Sequence, residues 1–169
     1  GYKWLLSPIS TGFLYVKSEL FEELWPTIVG YRSDENHMQF GYREFRAAQS
    51  ARRYEDGQIN FPGFAGMKES LDLLHNIGMQ AIWGRIRTLA DRLVDGLEGS
   101  NSVRVRSCLD ESSRSGIVSL ACRDCDAAAQ RLLKNGLVVS VRDGGLRVSP
   151  HFYNTENEID GLLGELGAI

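Results

Sequence analysis

Lys3 stands between two aromatic residues, Tyr2 and Trp4, and just ahead of Leu5 and Leu6. A primary amine in apolar company can act as a nucleophile toward a carbonyl carbon. By spacing alone the stronger reading of the same residue is a solvated surface charge, the usual state of a lysine. Arg147 lies between Leu146 and Val148 near the other end of the chain. Its planar guanidinium can grip a carboxylate through two parallel hydrogen bonds. The competing reading is a rim ion pair worth less than about 1 kcal/mol. Cys122 and Cys125 have the spacing of a metal or redox pair, but there is no second such pair, and His37, His75 and His151 lack ligand spacing. No metal site is therefore expected, and small buried thiols are the better reading. His151, in the turn Pro150-His151-Phe152-Tyr153, could face a site or simply support the following helix cap. The acidic residues are scattered, with no paired arrangement suited to general acid–base work.

These residues must be positioned by the elements around them. Phe13-Leu14-Tyr15-Val16 reads as a strand, and Ser18 opens a short helical pattern that Pro26 stops. Residues 27–63 are irregular and rich in glycine and charge, with one helical turn expected near Arg43–Arg53; so long a connection tends to be functional. From Phe64 to Leu97 apolar residues recur at helical steps, and Ile77-Gly78 divides the run into two helices, the second ended by Gly99-Ser100-Asn101. Strands are expected at Val103–Ser107, Ile117–Cys122, Leu137–Val141 and Leu146–Ser149, the last two joined through the hairpin signal Asp143-Gly144-Gly145. A helix over Cys125–Asn135, capped by Asp124 and closed by Gly136, falls between the two pairs. Thr155 and Glu158 form a capping box for a last helix through Ile159, Leu162, Leu163 and Leu166. The order β-β-α-β-β-α implies a sheet with its helices on one face.

The 169 residues, 43% hydrophobic and 24% charged, are enough for one domain or two small lobes with an ordinary core. A net charge of -3 gives no reason to expect a nucleic-acid partner. No apolar run approaches the roughly 18 residues of a membrane span. An odd number of cysteines, without a secretory signal, points to a reducing, cytoplasmic setting. The first residue is not an initiator methionine, so the natural chain is expected to begin earlier.

Three segments, in order, carry a resemblance. Tyr2-Lys3-Trp4-Leu5-Leu6-Ser7-Pro8, followed by Thr11-Gly12-Phe13-Leu14-Tyr15-Val16, resembles the Schiff-base lysine segment of class V aminotransferases. That group includes cysteine desulfurases, selenocysteine lyases and isopenicillin N epimerase-like proteins. Arg53-Tyr54-Glu55-Asp56-Gly57-Gln58-Ile59-Asn60 is similar to its Arg-aromatic-Glu-x-Gly-Thr-Pro-Asn stretch. Leu146-Arg147-Val148-Ser149-Pro150-His151-Phe152-Tyr153-Asn154-Thr155 is similar to its C-terminal Arg-x-Ser-x-x-x-Tyr-Asn-Thr signature. Together they cover nearly the whole chain.

The resemblance implies an α/β fold: the C-terminal part of a pyridoxal 5'-phosphate (PLP) transferase large domain, followed by a small α+β domain. Residues 1–75 would be the remnant of the large domain, 76–98 a connecting helix and 99–169 the small domain. It implies an enzyme acting at the alpha carbon of an amino acid, by transamination or epimerisation. Lys3 would bond covalently to PLP and shuttle protons, and Arg147 would clamp the substrate carboxylate. Tyr2 would help hold the cofactor phosphate, where the family often has histidine. Gly57 and Gln58 occupy the places of the family's Gly-Thr, which reaches the phosphate of a partner subunit, so a homodimer is implied; here an amide replaces the hydroxyl. Desulfurases of this group carry a cysteine on a loop before the clamping arginine, and Asp143-Gly144-Gly145 holds none, so that activity is disfavoured. The family draws its phosphate loop, ring-stacking residue and pyridine aspartate from ahead of the lysine. These residues alone are therefore expected to be inactive, and a silent fragment or an oligomerisation module is the alternative.

Overall fold

A computed structural model describes residues 1–39 and 44–168 of the chain. The chain divides into two compact units, Gly1–Leu73 and Leu74–Ile169.

The first unit is mostly irregular. It holds three short 3-10 helices, Ser18–Leu20, Tyr31–Ser33 and Ala51–Tyr54, and the start of α1, Phe61–Ile77. The helical turn expected near Arg43–Arg53 is the one at Ala51–Tyr54; Arg43 lies outside the described residues. Helix α1 begins three residues earlier than its apolar periodicity suggests. Asn60 Oδ1 accepts from the Gly63 N–H at 3.0 Å, and Pro62 in the first turn needs no helical partner for its nitrogen. Phe13–Val16 is not a strand: the segment has no ladder partner among the described residues, and Phe13, Leu14 and Tyr15 are exposed. A strand forms only where a neighbour takes its N–H and C=O groups, whatever the local propensity.

The second unit contains the hydrophobic core. Helix α2, Met79–Asp95, follows Gly78, whose φ of +89° breaks the rod. Four strands follow, β1 Val103–Val105, β2 Val118–Cys122, β3 Ser140–Arg142 and β4 Gly145–Val148, with α3, Cys125–Lys134, and α4, Glu156–Leu166. The sheet is antiparallel throughout, in the order β1-β2-β4-β3. Element order therefore agrees with the β-β-α-β-β-α expectation. Asp124 caps α3 through the Ala127 N–H at 2.9 Å, and the Thr155–Glu158 box caps α4. Strand β3 starts later than expected. The Leu137 N–H turns back to the Leu132 carbonyl at 2.9 Å, closing α3 and taking Leu137 out of the ladder.

Because strand side chains alternate, the sheet has two unlike faces. Val103, Val118, Leu120, Leu146 and Val148 point into one core with Leu89 and Leu93 of α2, Leu132 of α3, and Ile159, Leu162 and Leu166 of α4. Arg104, Ser119, Ala121, Ser140, Arg142, Gly145 and Arg147 take the other face.

Candidate functional site

Tyr2 and Lys3 share one tight turn. The Leu6 N–H donates to the Lys3 carbonyl at 3.1 Å, and Leu6 itself has a φ of +56°. A left-handed leucine is strained by about 1–3 kcal/mol and persists only where its surroundings hold it. That support comes from α1. Ser70 Oγ donates to the Leu6 carbonyl at 2.9 Å. Gly63 and Gly66 leave room for close contact: added Cβ atoms would stand 2.6 Å from Thr11 Cγ2 and 2.7 Å from Pro8 Cγ. Thr11 Oγ1 in turn donates to Ser7 Oγ at 3.1 Å, and both residues are buried. The small residues Gly63, Gly66 and Ser70, one face of a helix at steps of three and four, are the signal that sequence reading missed.

The Lys3 side chain is exposed, and its ammonium lies 5.4 Å from the centre of the Tyr2 ring. Among the described residues it makes no ion pair. An amine without a counter-ion is available to a carbonyl compound.

Gly57 and Gln58 lie on the loop between the Ala51–Tyr54 helix and α1, Gly57 half-buried and Gln58 exposed. The start of this loop is anchored. Ser33 Oγ donates to the Glu55 carbonyl at 2.7 Å, and Arg32 Nε donates to Glu55 Oε2 at 2.9 Å. Arg53 lies beneath, 1% exposed, donating from Nε to the Ala48 carbonyl at 2.9 Å and from Nη1 to the Phe21 carbonyl at 2.6 Å. Its guanidinium also lies 5.2 Å from the Phe21 ring centre and 5.5 Å from that of Trp25. Gln58 is in no hydrogen bond among the described residues, so its amide and the adjoining backbone are open to a ligand.

Arg147 belongs to the second unit, on β4 at the centre of the polar face, directly opposite Ser119 of β2 and Ser140 of β3. Its Nε is buried and has no hydrogen-bond partner among the described residues. Buried polar atoms are seldom left so, and each exception calls for a ligand or another cause. Among the described residues Arg147 is in no ion pair. His151 is buried; its Nδ1 accepts from the Phe152 N–H at 2.9 Å and its ring stacks on Tyr153 at 4.9 Å. Among these contacts His151 supports the turn before α4.

Cys122 and Cys125 approach to 2.8 Å between sulfurs. Burial, followed by the hydrogen bond to Cys125, pushes the Cys122 thiol up to about 12. No group of three or more metal-binding side chains occurs among the described residues, and none of their helices is long and apolar enough to cross a membrane.

The model of the class V aminotransferase family matches residues 1–162. The chain belongs to the class V aminotransferase family. It is 29% identical over 190 residues to a probable cysteine desulfurase of Methanothermobacter thermautotrophicus, covering 98% of this chain and 44% of that protein. It is 32% identical over 189 residues to isopenicillin N epimerase of Streptomyces clavuligerus, covering 100% of this chain and 46% of the epimerase. The chain thus spans less than half the length of these relatives. It shares the fold of the cystine C-S lyase C-DES, solved with its product cysteine persulfide: the TM-score is 0.83 at 24% identity, over 98% of this chain and 44% of C-DES. A C-DES mutant has been solved with glycine covalently linked to its PLP cofactor.

Proposed function

We propose that this class V aminotransferase chain forms part of a PLP-dependent enzyme acting at the alpha carbon of an amino acid, by transamination or epimerisation. The observation that carries the reading is the buried, partnerless Nε of Arg147, on a face made otherwise of arginine and small residues. Such a group is suited to a carboxylate, which the zwitterionic end of every amino acid supplies. The residues present also fit a phosphorylated aldehyde: an unpaired amine at Lys3 with a phenol at Tyr2, and open amide groups at Gly57 and Gln58 as donors to the phosphate held by a partner subunit.

When bound, PLP supplies an electron sink for charge developing at the alpha carbon. Lys3 would hold the cofactor through its amine, and the same amine would be the group placed to take and return the substrate's alpha proton. Arg147 fixes the substrate carboxylate and thereby the direction of the bond to be broken. We assign residues 1–75 to the cofactor-binding large domain, 76–98 to a connecting helix and 99–169 to the small domain.

Transamination or epimerisation is favoured over desulfuration. The β3–β4 connection is a two-residue turn, Asp143 and Gly144, both with positive φ and neither able to attack sulfur. The exposed Ile9, Phe13, Leu14 and Tyr15 of the first unit suit a covered surface, and we infer a homodimer. Three cysteines held as thiols suit the cytoplasm, the compartment we infer.

The test uses the protein as its gene encodes it. It should turn yellow with PLP, and borohydride should fix the cofactor to the peptide bearing Lys3, read by mass spectrometry. Label on a different lysine would refute the assignment. Arg147→Ala should weaken amino acids bearing a free carboxylate far more than their amides; equal effects on both would remove the clamp. Release of sulfide from cysteine at a rate matching other substrates would reverse the choice of reaction.

A further inference from the structure

We infer that the polar face of the sheet carries a second anion site beside Arg147, built around Arg106, and that the substrate is an amino acid with a second, distal carboxylate. This rests on the reading of Arg147 as the carboxylate clamp.

The ladder registers place the residues in two rows. Arg147 pairs with Ser119 on one side and Ser140 on the other, and β1 continues this row, because the Arg106 N–H donates to the Ser119 carbonyl at 2.8 Å. The next row holds Arg104 opposite Ala121, and Gly145 opposite Arg142. Side chains two apart on a strand share a face, so four arginines stand together among serine, alanine and glycine. None of these strand positions on that face is acidic, although the chain as a whole carries a net charge of -3. Neighbouring like charges repel, so such a face is stabilised when an anion arrives.

The Arg106 side chain is held in place. Its Nη1 donates to the Asp143 carbonyl at 2.8 Å and lies where Gly145 leaves room: a Cβ on Gly145 would stand only 2.8 Å from that nitrogen. Among the described residues its carboxylate partner is Asp143, 3.4 Å from Nη2 and 97% exposed, a contact readily exchanged for a ligand. Arg142 faces Gly145 from the other side, and its Nη1 is occupied only by the Val141 carbonyl at 2.7 Å.

Gly145 and Arg147 are two residues apart on one strand, about 6.6–6.8 Å at ordinary strand rise. The two carboxylates of an extended five- or six-carbon amino diacid are about 5–6 Å apart at standard bond lengths. A ligand whose alpha carboxylate rests on Arg147 can therefore set its far carboxylate over Gly145, on the Arg106 guanidinium. An amino acid ending in a methyl group leaves that charge unmet. The face thus selects among amino acids by their far end, whereas Arg147 reads the end that all of them share.

Two probes separate these roles: L-2-aminoadipate and L-norleucine, which have the same carbon count and differ in the distal carboxylate. Their dissociation constants are measured by calorimetry on the PLP-loaded protein as its gene encodes it. The unaltered protein should prefer aminoadipate. Arg106→Ala, at an exposed position outside the core, should cut that preference by about ten- to a hundredfold while leaving norleucine unchanged. Gly145→Ala, which pushes the guanidinium aside, should act in the same direction. An unchanged preference in both variants, or no preference in the unaltered protein, overturns the inference. If Arg147→Ala weakens both probes while Arg106→Ala shifts neither, the clamp stands and the second site alone is lost. If Arg147→Ala weakens neither probe, the clamp reading has failed, and the second site fails with it.

Discussion

The guanidinium of Arg92 on α2 grips the carboxylate of Asp160 on α4 through two parallel hydrogen bonds, 2.6 and 2.7 Å long. Two turns earlier on α2, Arg85 pairs with Glu156 and also donates to the Asn154 carbonyl at 2.8 Å. The two pairs fasten α4, and with it the end of the Arg147 segment, to the long helix.

This fastening should loosen in acid. The Arg85 hydrogen bond lowers the Glu156 carboxyl to about 2, and Arg92 likewise lowers that of Asp160. Both folded values lie below the unfolded ones, so the stabilisation is complete above the ordinary carboxylate range. It is lost as pH falls through that range toward about 2. Glu156→Gln should therefore be less stable than the unaltered chain at pH 6 and indistinguishable near pH 2, as urea unfolding followed by circular dichroism would report. A difference that persists undiminished at pH 2 would mean that the pair contributes by packing and not by charge.

Arg53 should be the most sensitive position of the first unit. Arg53→Ala leaves the Ala48 and Phe21 carbonyls without a donor and opens a void between two aromatic rings. The loss should be about 3–5 kcal/mol. Arg53→Lys should recover only part of it, because a compact ammonium cannot serve both carbonyls and both rings. Denaturant midpoints of the two variants decide the matter.

Two glycine substitutions should act with opposite sign. Gly78 has a φ of +89° and open space around it, so Gly78→Ala should cost about 1–3 kcal/mol through backbone strain alone. Gly161 lies within α4, with nothing within 4 Å of an added Cβ, and Gly161→Ala should stabilise by about 0.5–1 kcal/mol. Melting temperatures measured side by side test the pair.

The thiols should differ in reactivity. Cys108 is exposed, Cys125 is buried, and burial holds the Cys122 thiol near 12. Since the thiolate is the reactive form, a disulfide reagent at pH 8 should modify Cys108 in the folded chain. Cys122 and Cys125 should react only after denaturant is added. Peptide mapping of the labelled protein identifies the site.

Much of the second unit was legible in the sequence because its signals are local. The Asp124 cap, the Thr155–Glu158 box, the Gly78 break and the Asp143-Gly144 turn each depend on residues within a few positions of one another. The first unit was less legible. Phe13–Val16 has strand-like residues, but a strand also needs a partner, and the turn at Lys3 takes its shape from α1 far along the chain. Arg147 was found through the motif around it; the face it shares with Arg106 and Ser119 follows only from register.

By itself, then, the order of residues determined the element sequence of the second unit and its caps, since short-range hydrogen bonding and period are written in neighbouring residues; Lys3 and Arg147 became candidates through the family resemblance of the segments around them. Tertiary structure alone decided that Arg147 Nε is buried without a partner and that Arg106 lies across Gly145. Strand register and close approach between distant segments set both, and no local pattern encodes either.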